Sequence, residues 1–168
     1  MKYSFRLFTL LLFVFGCTSK NNEHLNDLEN IDGWFQHPQI KAGFAHSGEY
    51  YCYTDDINPY SITFRKKLLD FNEGKQIKQI IVNAWILFTN KDCKAALVAS
   101  IDSSEHFIPV VYSSTDATKQ ITGIEQWTQI KTQVDIPEKI DLNNYISIYV
   151  KNNGNYPVLI DDISYSYY

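Results

Sequence analysis

The stretch Ile77-Lys78-Gln79-Ile80-Ile81-Val82-Asn83-Ala84-Trp85-Ile86-Leu87-Phe88 decides the fold class. From Ile80 onward, apolar side chains fall on both parities, as expected for a central strand covered on both faces. A buried helix of the same length is the competing reading. β-Branched and aromatic residues dominate the run, however, and these suit a pleated sheet better than a helix. The flanking segments also continue as strands, so the stretch reads as a middle strand of an all-β domain.

Downstream, residues 95–101 (AALVASI) and 107–112 (FIPVVY) read as two strands joined by the polar hairpin connection Asp102-Ser103-Ser104-Glu105. Pro109 has no N–H for a ladder and belongs at an edge or a bulge. Residues 127–136 (WTQIKTQVDI) alternate most cleanly, with Ile130, Val134 and Ile136 on one side and Gln129, Lys131, Gln133 and Asp135 on the other. One side faces a core and the other faces water. Residues 145–150 (YISIYV) repeat the pattern, placing Ile146, Ile148 and Val150 inward and Tyr145, Ser147 and Tyr149 opposite them. A turn around Gly154 leads to a last strand over residues 158–167, which carries Asp161-Asp162 in an otherwise apolar beginning. Upstream, Gly48 marks a turn, residues 50–53 a short strand, the run from Asp55 to Pro59 a break, and residues 60–64 another strand that leads into Arg65-Lys66-Lys67. The folded part is expected to begin near Ile31. Roughly nine short strands with no internal helix predict a two-sheet antiparallel β-sandwich.

Ahead of it, Lys2 and Arg6 precede the apolar residues 7–15, a run too short to span a bilayer and laid out as an export signal. It ends in Val14-Phe15-Gly16-Cys17, which resembles the lipobox of bacterial lipoproteins. That resemblance implies a diacylglyceryl group on Cys17, a lipid-anchored chain, and a place in the bacterial cell envelope at the outer membrane. The expected organisation is a signal peptide over residues 1–16, the lipidated cysteine with a polar tether over 17–30, and the sandwich over 31–168. The polar tether lacks a sustained apolar period and should hold the domain off the lipid surface.

A net charge of −4 gives no basic footprint for phosphates, so nucleic acid is set aside as a partner. Aromatic residues make up 15% of the chain, with twelve Tyr and ten Phe, which again favours β structure. With Cys17 taken by lipid, Cys52 and Cys93 are left either as a bridge or as two buried thiols, and neither has a C-x-x-C neighbour. His24, His37, His46 and His106 fall at no spacing that would set two on one face. His46-Ser47 reads as a polar turn rather than a nucleophile, because no G-x-S-x-G elbow surrounds it. Asp161 and Asp162, as neighbours on a strand, are expected to point to opposite faces and not to converge on one bond. No catalytic role is expected of the chain.

A binding surface fares better. Tyr149 and Lys151 look outward on their strand, Trp85 and Asn83 share a face of theirs, and Trp34 lies in an early loop. Exposed aromatics among polar groups are how proteins stack on and hydrogen-bond sugar rings. Core packing is the alternative for Trp85 and for Trp127.

The order Ala45-His46-Ser47-Gly48-x-Tyr50, Tyr60-Ser61-x-x-Phe64, Trp127 ahead of the strand ending Ile136-Pro137, Tyr149-x-x-Asn152 and Ile160-Asp161-Asp162-Ile163 resembles the galactose-binding-domain-like jelly rolls. It is similar in particular to the carbohydrate-binding-module-like domains of envelope lipoproteins, with Lys151 where an aromatic residue is common. The likeness covers most of residues 31–168. It implies a membrane-anchored carbohydrate or glycoconjugate binder, and a structural calcium held by Ser47, Glu49, Asp161 and Asp162, with Asp32 as a contributor. Calcium takes six to eight oxygens, which carboxylates supply. The alternative is that the two Asp side chains cap loop amides. The other function in view is a structural or adhesive envelope protein that contacts a second protein through a sheet face, which would show an apolar surface patch.

Overall fold

The computed structural model describes residues 23–31, 33–35, 39–71, 75–106 and 108–168. The expected lipobox, including Cys17, lies outside the described residues, as does Asp32. In chain order the elements are β1 (His24–Asn26), β2 (Trp34–Phe35), β3 (Ile40–Ala42), β4 (Tyr50–Thr54), β5 (Thr63–Lys67), a single helical turn α1 (Leu68–Phe71), β6 (Gln79–Phe88), β7 (Ala95–Asp102), β8 (Pro109–Asp116), a 3-10 turn (Ala117–Lys119), β9 (Thr128–Asp135), β10 (Tyr145–Asn152) and β11 (Val158–Tyr167).

The stretch that decides the fold class is the long strand β6, which runs between β11 and β9. Its even-numbered residues Ile80, Val82, Ala84, Ile86 and Phe88 enter the core, and Leu87 is also buried on its opposite face. This is why both parities are apolar. Two antiparallel sheets face each other. One is ordered β3-β4-β11-β6-β9, with β1 added along β11; the other is ordered β2-β5-β10-β7-β8. The alternation read in β9 and β10 holds: Ile130 and Val134 from one sheet and Ile146, Ile148 and Val150 from the other meet in a single core. Fully burying an aliphatic side chain of this kind contributes about 1.5–3 kcal/mol. Pro109 begins the edge strand β8, opposite a register irregularity between Ile101 and Asp102, where its missing N–H leaves no ladder bond unmade.

Three differences from expectation have physical causes. The charged run Arg65-Lys66-Lys67 belongs to β5, whereas Tyr60 makes only an isolated bridge to Lys151. Arg65 and Lys67 survive in a strand because they stand on its outer face over the Tyr145 ring, at 5.0 and 5.9 Å. Next, the fold begins before Ile31. Residues 24–26 pair with Tyr165, Ser164 and Ile163 of β11, and both Asn26 and Leu28 are buried. The polar composition hid this strand, since only one of its three residues turns inward. Finally, a short helical turn follows β5, where Leu68 and Phe71 cover the end of the core.

Candidate functional site

The five-stranded sheet turns one face outward, and cross-strand register decides what it displays. Residues directly opposite each other share a face. Tyr145 stands between Lys67 and Asp102, Ser147 between Arg65 and Ser100, Tyr149 beside Val98, and Lys151 beside Ala96. On β8, Tyr112 lies opposite Ser100, Ser114 opposite Val98 and Asp116 opposite Ala96. The sheet thus carries a strip of tyrosines with polar side chains between them.

Tyr60 is 45% exposed and Tyr112 is 54% exposed, while Tyr149 is half-buried between them. The Tyr60 and Tyr149 rings meet edge to face with centroids 5.6 Å apart, and the Lys151 ammonium stands 5.9 Å above Tyr60. Burial, reinforced by Tyr112, Asp102 and Tyr60, pushes the Tyr149 phenol up to about 12. Its hydroxyl therefore keeps its proton at neutral pH and can donate a hydrogen bond. Asp102 forms the floor: its carboxylate accepts from Ser147 Oγ at 2.5 Å and Ser100 Oγ at 2.9 Å. Alongside runs an open groove of about 410 Å³, lined by Tyr112, Ser114, Asp116, Lys151, Lys94 and Asn153 among others.

The outer face of the six-stranded sheet is organised differently, around the loop that spans Gly43 to Glu49. His46 stacks on Trp85 with ring centroids 3.8 Å apart and meets the edge of Trp127 at 5.9 Å. A β-bulge in β11 creates the anchorage for this loop. Asp161 pairs with Trp85 and Ser164 with Asn83, so Asp162 and Ile163 stand against the single residue Ala84 of β6. Asp162 takes φ 45°, a left-handed conformation that Asp tolerates better than most residues. The bulge breaks the alternation that was expected to send the two carboxylates to opposite faces, and both reach the same loop. Asp161 Oδ2 accepts from the His46 and Ser47 backbone N–H groups at 2.7 and 3.1 Å. Asp162 accepts from His46 Nδ1 at 2.6 Å and from Ser47 Oγ at 2.8 Å. Asp161 Oδ1 accepts from the Asp162 N–H at 2.7 Å. Glu29 secures the far end, its Oε1 accepting from the N–H groups of Glu49 and Tyr50 at 2.6 and 3.0 Å.

All four oxygens of Asp161 and Asp162 thus face N–H or O–H donors, which is the amide-capping alternative. The donor set does not fit the calcium that the resemblance implied, because an ion would have to turn these groups away. Among the described residues, no three His, Cys, Asp or Glu side chains gather as metal ligands. Nor do His46, Ser47 and Asp162 form a relay. Ser47 gives its proton to the same carboxylate that holds the imidazole, rather than to the imidazole. Burial pushes Asp161 up to about 6, against the lowering effect of the three amides bonded to it.

Of the residues singled out in the sequence, Tyr149 and Lys151 stand on the tyrosine face. Trp85 and Asn83 lie on the other sheet, with Trp85 covered by His46. Trp34 sits on β2 and packs against Phe64 at 5.3 Å. Cys52 and Cys93 are separate, buried thiols, and burial pushes Cys52 up to about 12. The sequence reading passed over Tyr60, Tyr112, Arg65, Lys67 and Asp102. Their common signal was parity relative to Tyr145 and Tyr149, and it becomes readable only when the strand register is known.

No protein-family model and no curated protein matches the chain. Solved structures do resemble it. A Clostridium thermocellum xylanase 10B structure of CBM22-1 and GH10 modules, complexed with xylohexaose, aligns with a TM-score of 0.55 at 12% identity, over 83% of this chain and 27% of that one. The chain therefore spans about a quarter of that protein's length. The CBM22-2 xylan-binding domain of Paenibacillus barcinonensis Xyn10C aligns with a TM-score of 0.58 at 12% identity, over 87% of this chain and 98% of that one. The family 11 carbohydrate-binding module of Clostridium thermocellum, in complex with a β-1,3-1,4-mixed-linked tetrasaccharide, gives 0.52 at 15% identity over 84% and 94%. These likenesses establish the fold, a two-sheet antiparallel β-sandwich.

Proposed function

We propose that the chain is a non-catalytic, lipid-anchored, polysaccharide-binding sandwich of the bacterial envelope, and that its ligand lies across the outer face of the five-stranded sheet. The observation that carries this reading is the strip formed by Tyr60, Tyr112, Tyr145 and Tyr149, with Lys151 beside it and Ser114 and Asp116 along its groove. Aromatic rings present flat apolar area to the faces of sugar rings, and the polar neighbours can bond the hydroxyls around them. The fold shared with xylan-binding modules supports the same reading, and the likeness of Val14-Phe15-Gly16-Cys17 to a lipobox supports the anchor.

Affinity electrophoresis tests the binding. Migration of the purified chain in gels cast with xylan or mixed-linkage β-glucan is compared with migration in plain gels. Retardation that disappears in Tyr149→Ala is expected, whereas unretarded migration across a broad panel would count against the reading. A second reading, docking to another envelope protein, has one observation in its favour. Ile108 and Val110 are 61% and 54% exposed at the edge strand β8, and an apolar sheet edge is a surface on which another chain can pair. A partner that co-purifies with the wild type but not with Val110→Lys would favour it.

A further inference from the structure

The charge on the tyrosine face runs opposite to the charge of the chain. The protein carries a net −4, yet Arg65, Lys67 and Lys151 all stand on this face, and Lys94 lines its groove. Among the described residues, two carboxylates stand with them, and both accept hydrogen bonds from within the chain. Asp102 is buried and accepts from two serine hydroxyls. Asp116 accepts from the Thr118 N–H at 3.0 Å and lies 3.9 Å from the Lys119 ammonium. On the opposite sheet the outward cations Lys41 and Lys131 share their face with Asp135 and with the loop-clamping Asp161 and Asp162. A neutral polysaccharide offers no counter-charge to such a face.

We infer that the polymer recognised by the five-stranded sheet carries carboxylates, that is, uronic acid residues. This rests on the polysaccharide-binding reading above. Lys67 stands opposite Tyr145 and Lys151 lies six residues along the same strand, about 20 Å at roughly 3.4 Å per residue. The tyrosines fill the interval, leaving room for several sugar rings with a cation near each end. Cations gathered at two separated ends, Arg65 and Lys67 over Tyr145 at one and Lys151 and Lys94 along the groove at the other, suit carboxylates borne on separate sugars better than the evenly crowded charge of a sulfated chain. Both lysines are partly exposed, so each can meet a carboxylate without deep desolvation.

The test compares binding of the purified full-length chain to glucuronoxylan, alginate and polygalacturonate with binding to carboxyl-reduced preparations of the same polymers. Dextran sulfate and mixed-linkage β-glucan serve as sulfated and neutral probes. At least one uronate polymer should bind, and carboxyl reduction should weaken it about tenfold, the loss expected for two partly exposed ion pairs. The Lys67→Gln, Lys151→Gln double variant should show a loss of similar size on the native polymer and little on the reduced one. Raising salt from about 50 to about 500 mM should close the gap between the two, since exposed charges are screened over such a range. Equal binding to native and reduced polymers would overturn the inference while the polysaccharide reading stands, and so would preference for dextran sulfate. No binding to any polymer by a chain whose circular dichroism shows intact β structure would overturn both.

Discussion

At the scale of single residues, Asp161 concentrates the conflict between burial and charge. Its ordinary carboxyl range is near 3.8, and burial holds it at about 6 in the folded chain. The folded state therefore binds more protons than the unfolded state between these values. The stability this group contributes is fully present below the lower value and is lost as pH rises through the upper one. Urea denaturation of the wild type and of Asp161→Asn, from about pH 4 to about pH 7, should show the wild type losing ground to the variant by on the order of 2 kcal/mol. Parallel pH dependences would contradict this origin of the shift. The carboxylates' full set of protein donors makes a second expectation. A thermal melt in chelator should match one in plain buffer, and a lower midpoint in chelator would restore the calcium that the resemblance implied. The sequence made the Asp161-Asp162 pair visible but not its convergence. An extra residue in β11 relative to β6 turns both side chains to one loop, and a bulge is a property of two strands that neither strand reveals alone.

At the scale of elements, the strands with a clear apolar pattern were legible: β9 and β10 appear close to where alternation placed them, and β6, β7 and β11 close to where their apolar runs did. The short edge elements were not. β1 and β2 hold three and two residues, too few for a period of two to emerge, and β5 was masked by its cations. The segment before Ile31 provides a direct check, because a tether and a strand predict different mutational costs. Leu28 is 3% exposed and Leu25 is 62% exposed. Leu28→Ala should destabilise the domain by about 2–3 kcal/mol, whereas Leu25→Ala should stay within about 0.5 kcal/mol. Equal, negligible effects in chemical denaturation would return this segment to the status of a linker. The clamp on the loop from Gly43 to Glu49 also explains why Trp85, the most conspicuous aromatic of β6, is a poor sugar platform. His46 already occupies the ring face that a ligand would need.

At the scale of the whole molecule, the two sheets present different outer faces. On the six-stranded sheet, His46 covers a face of Trp85 and the carboxylates of Asp161 and Asp162 hold the loop from Gly43 to Glu49. The five-stranded sheet leaves tyrosines, lysines and a groove facing outward. The composition already pointed to aromatic-rich β structure, and Tyr149 with Lys151 named part of the face. The choice between Trp85 and the tyrosines could not be made without knowing which residues the loop covers. A two-dimensional amide NMR titration of the isotope-labelled chain with xylo-oligosaccharides and uronate-bearing oligosaccharides tests that choice most directly. Saturable shifts are predicted at Tyr60, Tyr112, Tyr149 and Lys151, with His46, Trp85 and Gln129 unmoved. Shifts centred on His46 and Trp85, or none with any oligosaccharide, would contradict the assignment of the ligand face to the five-stranded sheet.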